Sequence, residues 1–195
     1  MAWLQTISGK AFDLSNPDPA MVDFEADVAP ALAKLARFTG HTLGDIGYSV
    51  AQHCVLGAES ILAATGSERL AALFLLHDAH EAYIGDIPTP LVQTLCEDDR
   101  RFKGRLDILK ERLDSAIYDA ADIAPPYAFE HNAIKRHDTA MMNAERASLK
   151  LPAPRSWGAD IDAVPAADMW ISPWETADAR EAWLDAFDRF VGVES

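Results

Sequence analysis

The stretch that decides the fold is residues 67–90, which read SERLAALFLLHDAHEAYIGDIPTP. Ser67 is of a type that caps helix N-termini, and the apolar side chains of residues 70–76 cover nearly every side of the helix that follows. A helix that is apolar all round packs in the interior of a protein, so we expect this helix to be buried. Gly85 and Pro88 are typical of the residues that end a helix.

A histidine and two carboxylates follow the apolar run. His77 and Asp78 come directly after it, and Glu81 lies four residues after His77 and three after Asp78. A continuous helix would place all three on one side. Because an ionised carboxylate is costly to bury without a partner, either a metal ion binds here or His77 and Asp78 form a hydrogen-bonded pair within the core.

Two further candidate ligands lie on other predicted helices. His53 stands among apolar neighbours in the preceding helix, where a histidine is either a metal ligand or a hydrogen-bonded core residue. Asp138 lies on a later helix, and Glu145 follows two turns on along the same face. His53 and Asp138, together with His77 and Asp78, form a mixed imidazole and carboxylate set. Such a set suits Mn, Fe, Co, Ni or Zn better than Mg or Ca.

The rest of the chain also predicts helices. Alternating runs of β-branched and aromatic residues barely occur, so strand signals are scarce. Apolar spacing predicts about six helices, at 19–38, 49–64, 67–84, 98–121, 125–149 and 175–191. An irregular segment occupies about 1–19, and a packed loop rich in proline and tryptophan occupies about 151–174. We therefore expect a compact all-α domain, a helical bundle that spans residues 1–195.

Length and charge limit the classes of partner. A chain of 195 residues suits one sizeable core. Its 17 Lys+Arg against 31 Asp+Glu, a net charge of -14, argue against binding a nucleic-acid polymer, but not against a small anionic substrate. No apolar run reaches the roughly 18 residues of a membrane span. Residues 1–5 lack the features of a signal peptide, and the two cysteines form no disulfide framework. We expect a cytoplasmic protein with no membrane partner.

Three motifs occur in one order along the chain. Residues 49–54 read SVAQHC, residues 76–90 read LHDAHEAYIGDIPTP and residues 135–138 read KRHD. In combination they resemble the HD-domain metal-dependent phosphohydrolases, most closely the 5'-deoxynucleotidase-like branch, whose pattern is H…HDxxE(x4)D-[IL]-P-T-P…D. The similarity covers about residues 37–149. It implies an all-α fold of the HD-domain type and an enzyme that removes the 5'-phosphate of nucleoside monophosphates.

The resemblance also implies a role for each matching residue. Glu81 would be the catalytic carboxylate, which either orders the attacking water or protonates the leaving oxygen. Arg37 would hold the phosphate, and Asp86 would contact the sugar. Phe38 stands where that branch has a tryptophan beside the ribose 2' position, which puts deoxyribose preference in doubt. Four residues would hold one divalent transition metal (Mn, Co, Fe, Ni or Zn): His53, His77, Asp78 and Asp138.

One phosphate contact of that branch is not matched here. Its lysine two residues after Thr-Pro corresponds to Val92. The contact is therefore missing in this chain or supplied by Lys10, Arg101 or Lys103.

Two other functions stay open at this point. Residues 6–12 and 37–42 resemble a shorter bacterial and phage branch, some members of which remove triphosphate from dATP, so a dNTP triphosphohydrolase is one alternative. A non-catalytic HD module that binds a metal or a nucleotide is the other, although an intact Glu81 argues against it. In each case the partner is a small-molecule nucleotide. We also expect a homo-oligomer, a dimer or higher, in which the helix at 98–121 pairs with a copy of itself.

Overall fold

Helices carry most of the chain in the computed structural model, which describes residues 2–192. In chain order they are α1 (Ala29–Lys34), α2 (Val50–Thr65), α3 (Glu68–Leu76), α4 (Glu81–Ile84), α5 (Thr89–Asp98), α6 (Phe102–Ala120), α7 (Ala128–Leu149), α8 (Ala159–Asp162) and α9 (Thr176–Phe190). The fold is therefore all-α in character. None of the helices within residues 2–192 combines the length and the apolar character that a bilayer crossing requires.

Helices α2 and α3 form the centre of the fold, and both begin at the serines that the sequence predicts as caps. The Ser49 hydroxyl accepts a hydrogen bond from the Gln52 amide at the start of α2, and the Ser67 hydroxyl caps α3 in the same way. Gly57 lets the two helices approach closely, because a Cβ built on it would lie 2.0 Å from a ring carbon of Phe74. All residues from 71 to 76 are buried, which confirms the prediction made from their apolar pattern.

The helix predicted at 67–84 is interrupted. It ends at Leu76, residues 77–80 form turns, and α4 begins at Glu81. The Phe74 carbonyl accepts hydrogen bonds from both the backbone N–H and the ring Nδ1 of His77, so the regular i to i−4 ladder does not continue there. The turns keep His77 and Asp78 adjacent to Glu81 without an unbroken helix.

Two other helical segments differ from the sequence-based expectation. The predicted helix at 19–38 is divided into a 3₁₀ turn (Pro19–Met21), a π-helical turn (Phe24–Val28) and α1, in which Pro30 has no N–H to continue the ladder. Helix α5 was not predicted, since Pro88 was interpreted only as a stop, yet prolines are also favourable in a first helical turn. The division of the helix predicted at 67–84 into α3 and α4, together with α5 and the short α8, gives nine α-helices within residues 2–192 where about six were predicted.

The N-terminal segment forms a hairpin rather than an irregular stretch. Strands β1 (Trp3–Gln5) and β2 (Ala11–Asp13) pair antiparallel. Phe12 of β2 is 1% exposed and stacks on Tyr83 with 3.9 Å between the ring centroids. Strands of three residues are too short to show an alternating pattern in a sequence.

The loop at 151–174 packs only in part. Trp170 is 77% exposed, contrary to the expectation of a packed loop. The end of the loop is held by Gln52, a fully buried residue of α2, which donates to the Ser172 carbonyl (2.8 Å) and accepts from the Trp174 amide (2.9 Å). This attachment closes the loop over α2 and leads the chain into α9.

Candidate metal centre

The four predicted ligands lie together at the junction of α2, α3 and α7. His53 projects from α2, His77 and Asp78 follow directly after α3, and Asp138 projects from α7. The Nε2 atom of His53 lies 3.2 Å from Asp138 Oδ1 and 3.9 Å from Asp78 Oδ2. The Nε2 atom of His77 lies 3.2 Å from Asp78 Oδ2 and 4.0 Å from Asp138 Oδ1. Ligand atoms about 2.0–2.2 Å from one ion stand about 3–4 Å from one another, so these spacings fit a shared cation.

The inward-facing atoms of this group have no other partner. His53 Nε2, His77 Nε2 and Asp138 Oδ1 are each buried and make no hydrogen bond within the described residues. Leaving a buried polar atom unpaired costs about 1–3 kcal/mol. Three such atoms that face one point, with a donor set of two imidazoles and two carboxylates, fit a divalent transition metal.

Outer hydrogen bonds orient both imidazoles. The Nδ1 atom of His53 lies 2.5 Å from Glu145 Oε1, and the Nδ1 atom of His77 lies 2.6 Å from the Phe74 carbonyl oxygen. Because a carbonyl oxygen only accepts, Nδ1 of His77 is the donor, and its Nε2 lone pair faces the centre when the ring is neutral. Burial lowers the pKa of His77, but the Asp78 carboxylate outweighs burial and raises it well above its ordinary value.

Glu145 is a residue of the candidate site to which the sequence analysis assigned no role. It is fully buried, and its Oε1 accepts from His53 Nδ1 and from the Tyr48 hydroxyl (3.0 Å). Its Oε2 lies 3.2 Å from both Nε and Nη2 of Arg37. Burial raises the pKa of Glu145, but Arg37 and His53 hold it below its ordinary value. The sequence did contain one signal for Glu145: it stands seven residues after Asp138, and that spacing places both side chains on one face of α7.

Arg37 lies beside the candidate ligands, as the resemblance implies. It begins a 3₁₀ turn (Arg37–Gly40), and its side chain is 12% exposed. Its Nη1 is 3.5 Å from Asp78 Oδ2, and its Nη2 is 3.9 Å from Asp138 Oδ1. The guanidinium is therefore held by Glu145 and stands close enough to the centre to meet an anion bound there.

Glu81 also lies beside the centre, at the first position of α4. It is 6% exposed, its Oε2 is buried without a hydrogen-bond partner, and one carboxylate oxygen lies within 4.8 Å of a carboxylate oxygen of Asp78. Burial, together with the charges of Asp78 and Asp86, raises the pKa of Glu81 to about 9. Before a cation is bound, this carboxyl group therefore keeps its proton at neutral pH.

The other two predicted substrate contacts lie in the same region. Asp86 is half-buried, and burial raises its pKa against the effect of Arg37. Phe38 is half-buried and adopts the left-handed backbone conformation, with φ at 56°. Its ring lies 6.1 Å from that of Trp157, and the Lys150 ammonium stands 5.0 Å from its centroid.

A groove of 480 Å³ leads to the centre from the side of α6 and α7. Two candidate ligands, His77 and Asp138, line it together with Tyr118, Ile134 and Lys135. Its volume lies within the range of small-molecule sites, which is about 300–1,000 Å³. A second cavity of 530 Å³ lies beneath the loop at 151–166 and is lined by none of the predicted site residues.

The lysines and the arginine proposed as replacement phosphate contacts are not among the residues that line the groove. Lys10 pairs with Asp23 at 3.1 Å, and Lys103 pairs with Asp107 at 2.6 Å. Arg101 is exposed and lies just before α6. Two other cations act on this region: Lys135 lines the groove, and the charge of Lys110 lowers the pKa of Glu81 and Asp86.

Comparison with known proteins identifies two relatives, and no family model matches the chain. The chain is 30% identical over 191 residues to YfdR, an uncharacterized protein of Escherichia coli K12, and the alignment covers 96% of this chain and 95% of YfdR. It is 38% identical over 119 residues to an uncharacterized protein of Rhodobacter capsulatus, which covers 60% of this chain and 57% of that protein. Neither name states an activity.

Proposed function

The chain belongs to the family of YfdR, and we propose that it is a metal-dependent phosphohydrolase of the HD-domain type that removes the 5'-phosphate of nucleoside monophosphates. The observation that supports this most is the meeting of four ligand side chains from three parts of the chain, with three inward-facing polar atoms that have no other partner. The motifs that carry the resemblance to the HD-domain phosphohydrolases contain these same four residues.

His53, His77, Asp78 and Asp138 would hold the cation. Bound there, it would lower the pKa of a coordinated water and offset negative charge on the phosphoryl oxygens. Glu145 keeps the His53 ring in place through the bond to Nδ1, so that Nε2 faces the centre.

Arg37 would bind the phosphate. Its guanidinium is charged at every relevant pH, and its donors suit two oxygens of one phosphate at once. Glu145 fixes one edge of the guanidinium, while Nη1 faces Asp78 at the longer distance of 3.5 Å. An incoming phosphate therefore competes only with the weaker of these contacts.

Glu81 would supply the proton to the leaving group. A water oxygen bonds to phosphorus as the bond between phosphorus and O5' breaks, O5' takes the proton held by Glu81, and one proton of the attacking water then returns to Glu81. The products are a nucleoside and orthophosphate. In the chain without a cation, burial and the charges of Asp78 and Asp86 raise the pKa of Glu81 to about 9, which favours the protonated form.

The groove between α6 and α7 would accept the nucleoside. Its Tyr118, Pro125 and Ile134 side chains provide apolar surface for a base, while His77 and Asp138 stand at the end where the phosphate must lie. Asp86 accepts hydrogen bonds and suits a sugar hydroxyl.

The test is phosphate release from a panel of nucleotides. The chain is stripped with a chelator, reloaded with Mn²⁺ or Co²⁺, and supplied with ribo- and deoxynucleoside mono- and triphosphates. Chromatography then separates orthophosphate from tripolyphosphate. We expect orthophosphate from monophosphates and its loss in Asp78→Asn; tripolyphosphate as the product, or equal rates in both proteins, would contradict the proposal.

A further inference from the structure

The cavity of 530 Å³ beneath the loop at 151–166 is lined by none of the residues that the proposed function uses. Its volume lies within the range of small-molecule sites, about 300–1,000 Å³. Its walls include Arg146, Lys150, Trp157 and three prolines of the loop. Two cations and one carboxylate, that of Asp162, line it, although acidic residues outnumber basic ones by 31 to 17 in the whole chain. The cavity therefore offers positive charge beside apolar surface in an otherwise acidic protein.

The Arg146 guanidinium is fixed in place at this cavity. Its Nη1 donates to Asn143 Oδ1 at 2.9 Å and to Asp162 Oδ1 at 3.0 Å. Its central carbon lies 4.5 Å from the ring centroid of Trp157. A guanidinium stacked on an indole gains a cation–π interaction and is held in one orientation. An anion that binds here therefore meets a cation that is already oriented.

One edge of this guanidinium has no partner. Within residues 2–192, every hydrogen bond of the Arg146 side chain comes from Nη1, so the edge formed by Nε and Nη2 is free. In Arg37 both nitrogens of that edge lie 3.2 Å from Glu145 Oε2. In Arg69 the same edge donates to both oxygens of Glu130, at 2.7 and 3.0 Å. Such an edge matches two oxygens of one carboxylate or phosphate, and Arg146 lacks that anion.

Lys150 supplies the second positive charge. Its ammonium donates to the His41 carbonyl, and it forms no ion pair with a carboxylate in the described part of the chain. An ammonium group carries three donors, so two of them are left for a ligand.

Contacts with α7 hold the loop over the cavity. Nδ2 of Asn143 donates to the carbonyls of Ile161 at 2.9 Å and Val164 at 2.7 Å. The Ser156 hydroxyl donates to Asp162 Oδ2 at 2.6 Å, and this is the carboxylate that also holds the guanidinium. The walls of the cavity are therefore in place before a ligand arrives.

From these contacts we infer that the cavity binds a small oxyanion, either a carboxylate or a phosphate monoester, attached to a flat apolar ring. The Nε and Nη2 edge of Arg146 receives two oxygens, the Lys150 ammonium offsets the remaining charge, and the ring lies against Trp157 and the prolines. The site needs no metal, so it is tested without reference to phosphate release.

The experiment is a fluorescence titration of the chelator-stripped full chain. The probes are para-bromobenzoate and para-bromophenyl phosphate, because bromine quenches a tryptophan that it contacts and the two probes separate the two classes of anion. We expect saturable quenching by at least one probe, and the tighter probe identifies the class. Trp157→Phe, which removes one of five tryptophans, should abolish the saturable part. Arg146→Gln should weaken binding by about 10- to 100-fold, the effect of losing hydrogen bonds to a charged group.

Arg155→Gln is the matched control. Arg155 is an exposed arginine of the same loop that does not line the cavity, so its substitution should leave the affinity unchanged. Quenching that does not saturate, that persists in Trp157→Phe or that is equally tight in Arg146→Gln would overturn the site, and equal weakening in both arginine variants would show only an effect of net charge.

A second measurement covers the case in which Arg146→Gln does not fold by circular dichroism. A crystal of the unaltered protein is then soaked in each bromine probe and measured by anomalous scattering. A bromine peak beside Trp157 in the cavity supports the site, and no peak in the cavity overturns it.

Discussion

Replacing Glu145 by glutamine tests whether an outer carboxylate positions the candidate metal centre. The substitution keeps the size of the side chain but removes its charge and one acceptor oxygen. At present the carboxylate bonds His53 Nδ1 at 2.5 Å and lies 3.2 Å from two nitrogens of Arg37. Glutamine cannot match both contacts, so the His53 ring loses its fixed orientation or Arg37 loses its anchor.

The size of the effect follows from these contacts. Loss of an outer carboxylate weakens metal binding by about 10- to 100-fold, or about 1.4–2.7 kcal/mol. The free energy of unfolding of the metal-free chain should fall by about 1–3 kcal/mol, the cost of leaving buried partners unpaired. A larger loss is not expected, because Arg37 keeps its contacts with Asp78 at 3.5 Å and Asp138 at 3.9 Å.

Calorimetric titration with Mn²⁺ measures the first effect, and urea unfolding measures the second. Tyr48→Phe is the matched control, since it removes a single 3.0 Å hydrogen bond to the same carboxylate without altering its charge. We expect that variant to lose about 0.5–1.5 kcal/mol of stability and to bind metal nearly as tightly as the unaltered chain. Unchanged metal affinity in Glu145→Gln would refute the reasoning.

Three further predictions concern proton transfer, pH and packing. If Glu81 is the general acid, Glu81→Gln should lower kcat by about 10²- to 10⁴-fold and leave the chain folded. Steady-state kinetics measures the first effect, and circular dichroism checks the second. The free energy of unfolding of the metal-free chain should fall as pH rises from 6.5 through the raised pKa of His77, because His77 stabilises the fold only while it is protonated. Urea unfolding at a series of pH values, with and without Mn²⁺, measures this loss. At acidic pH, the stabilisation of the fold by the Glu145 carboxylate is complete above pH 4.5 and is lost as pH falls through the lowered pKa of this residue. Gly57→Ala should destabilise the fold by about 1–3 kcal/mol, because the added Cβ would lie 2.0 Å from the Phe74 ring. A thermal melt measures the effect, and an unchanged midpoint would mean that α2 and α3 separate freely to make room.

Local signals predicted the central helices well. Ser49 and Ser67 act as side-chain caps, and Gly66 ends α2 in the left-handed conformation, as their sequence positions predict. Capping and apolar periodicity depend on residues within one or two turns of each other, so a sequence contains the whole signal.

Breaks in helices were harder to predict. The turns at 77–80 depend on a side-chain bond from His77 to the Phe74 carbonyl, and a residue list does not reveal that contact. The hairpin at β1 and β2 depends on the burial of Phe12 against Tyr83, 71 positions further along the chain. Packing over such separations overrides local preference for short elements.

The sequence by itself identified the candidate metal ligands, because His53, His77, Asp78 and Asp138 are recognisable by type and order. Only the tertiary structure decided which residues support them. Glu145, for example, meets His53 across 92 positions. Whether a carboxylate is solvated or buried against an imidazole depends on how helices cross. That crossing is set by the shapes of many packed side chains together, so no single segment of sequence carries it.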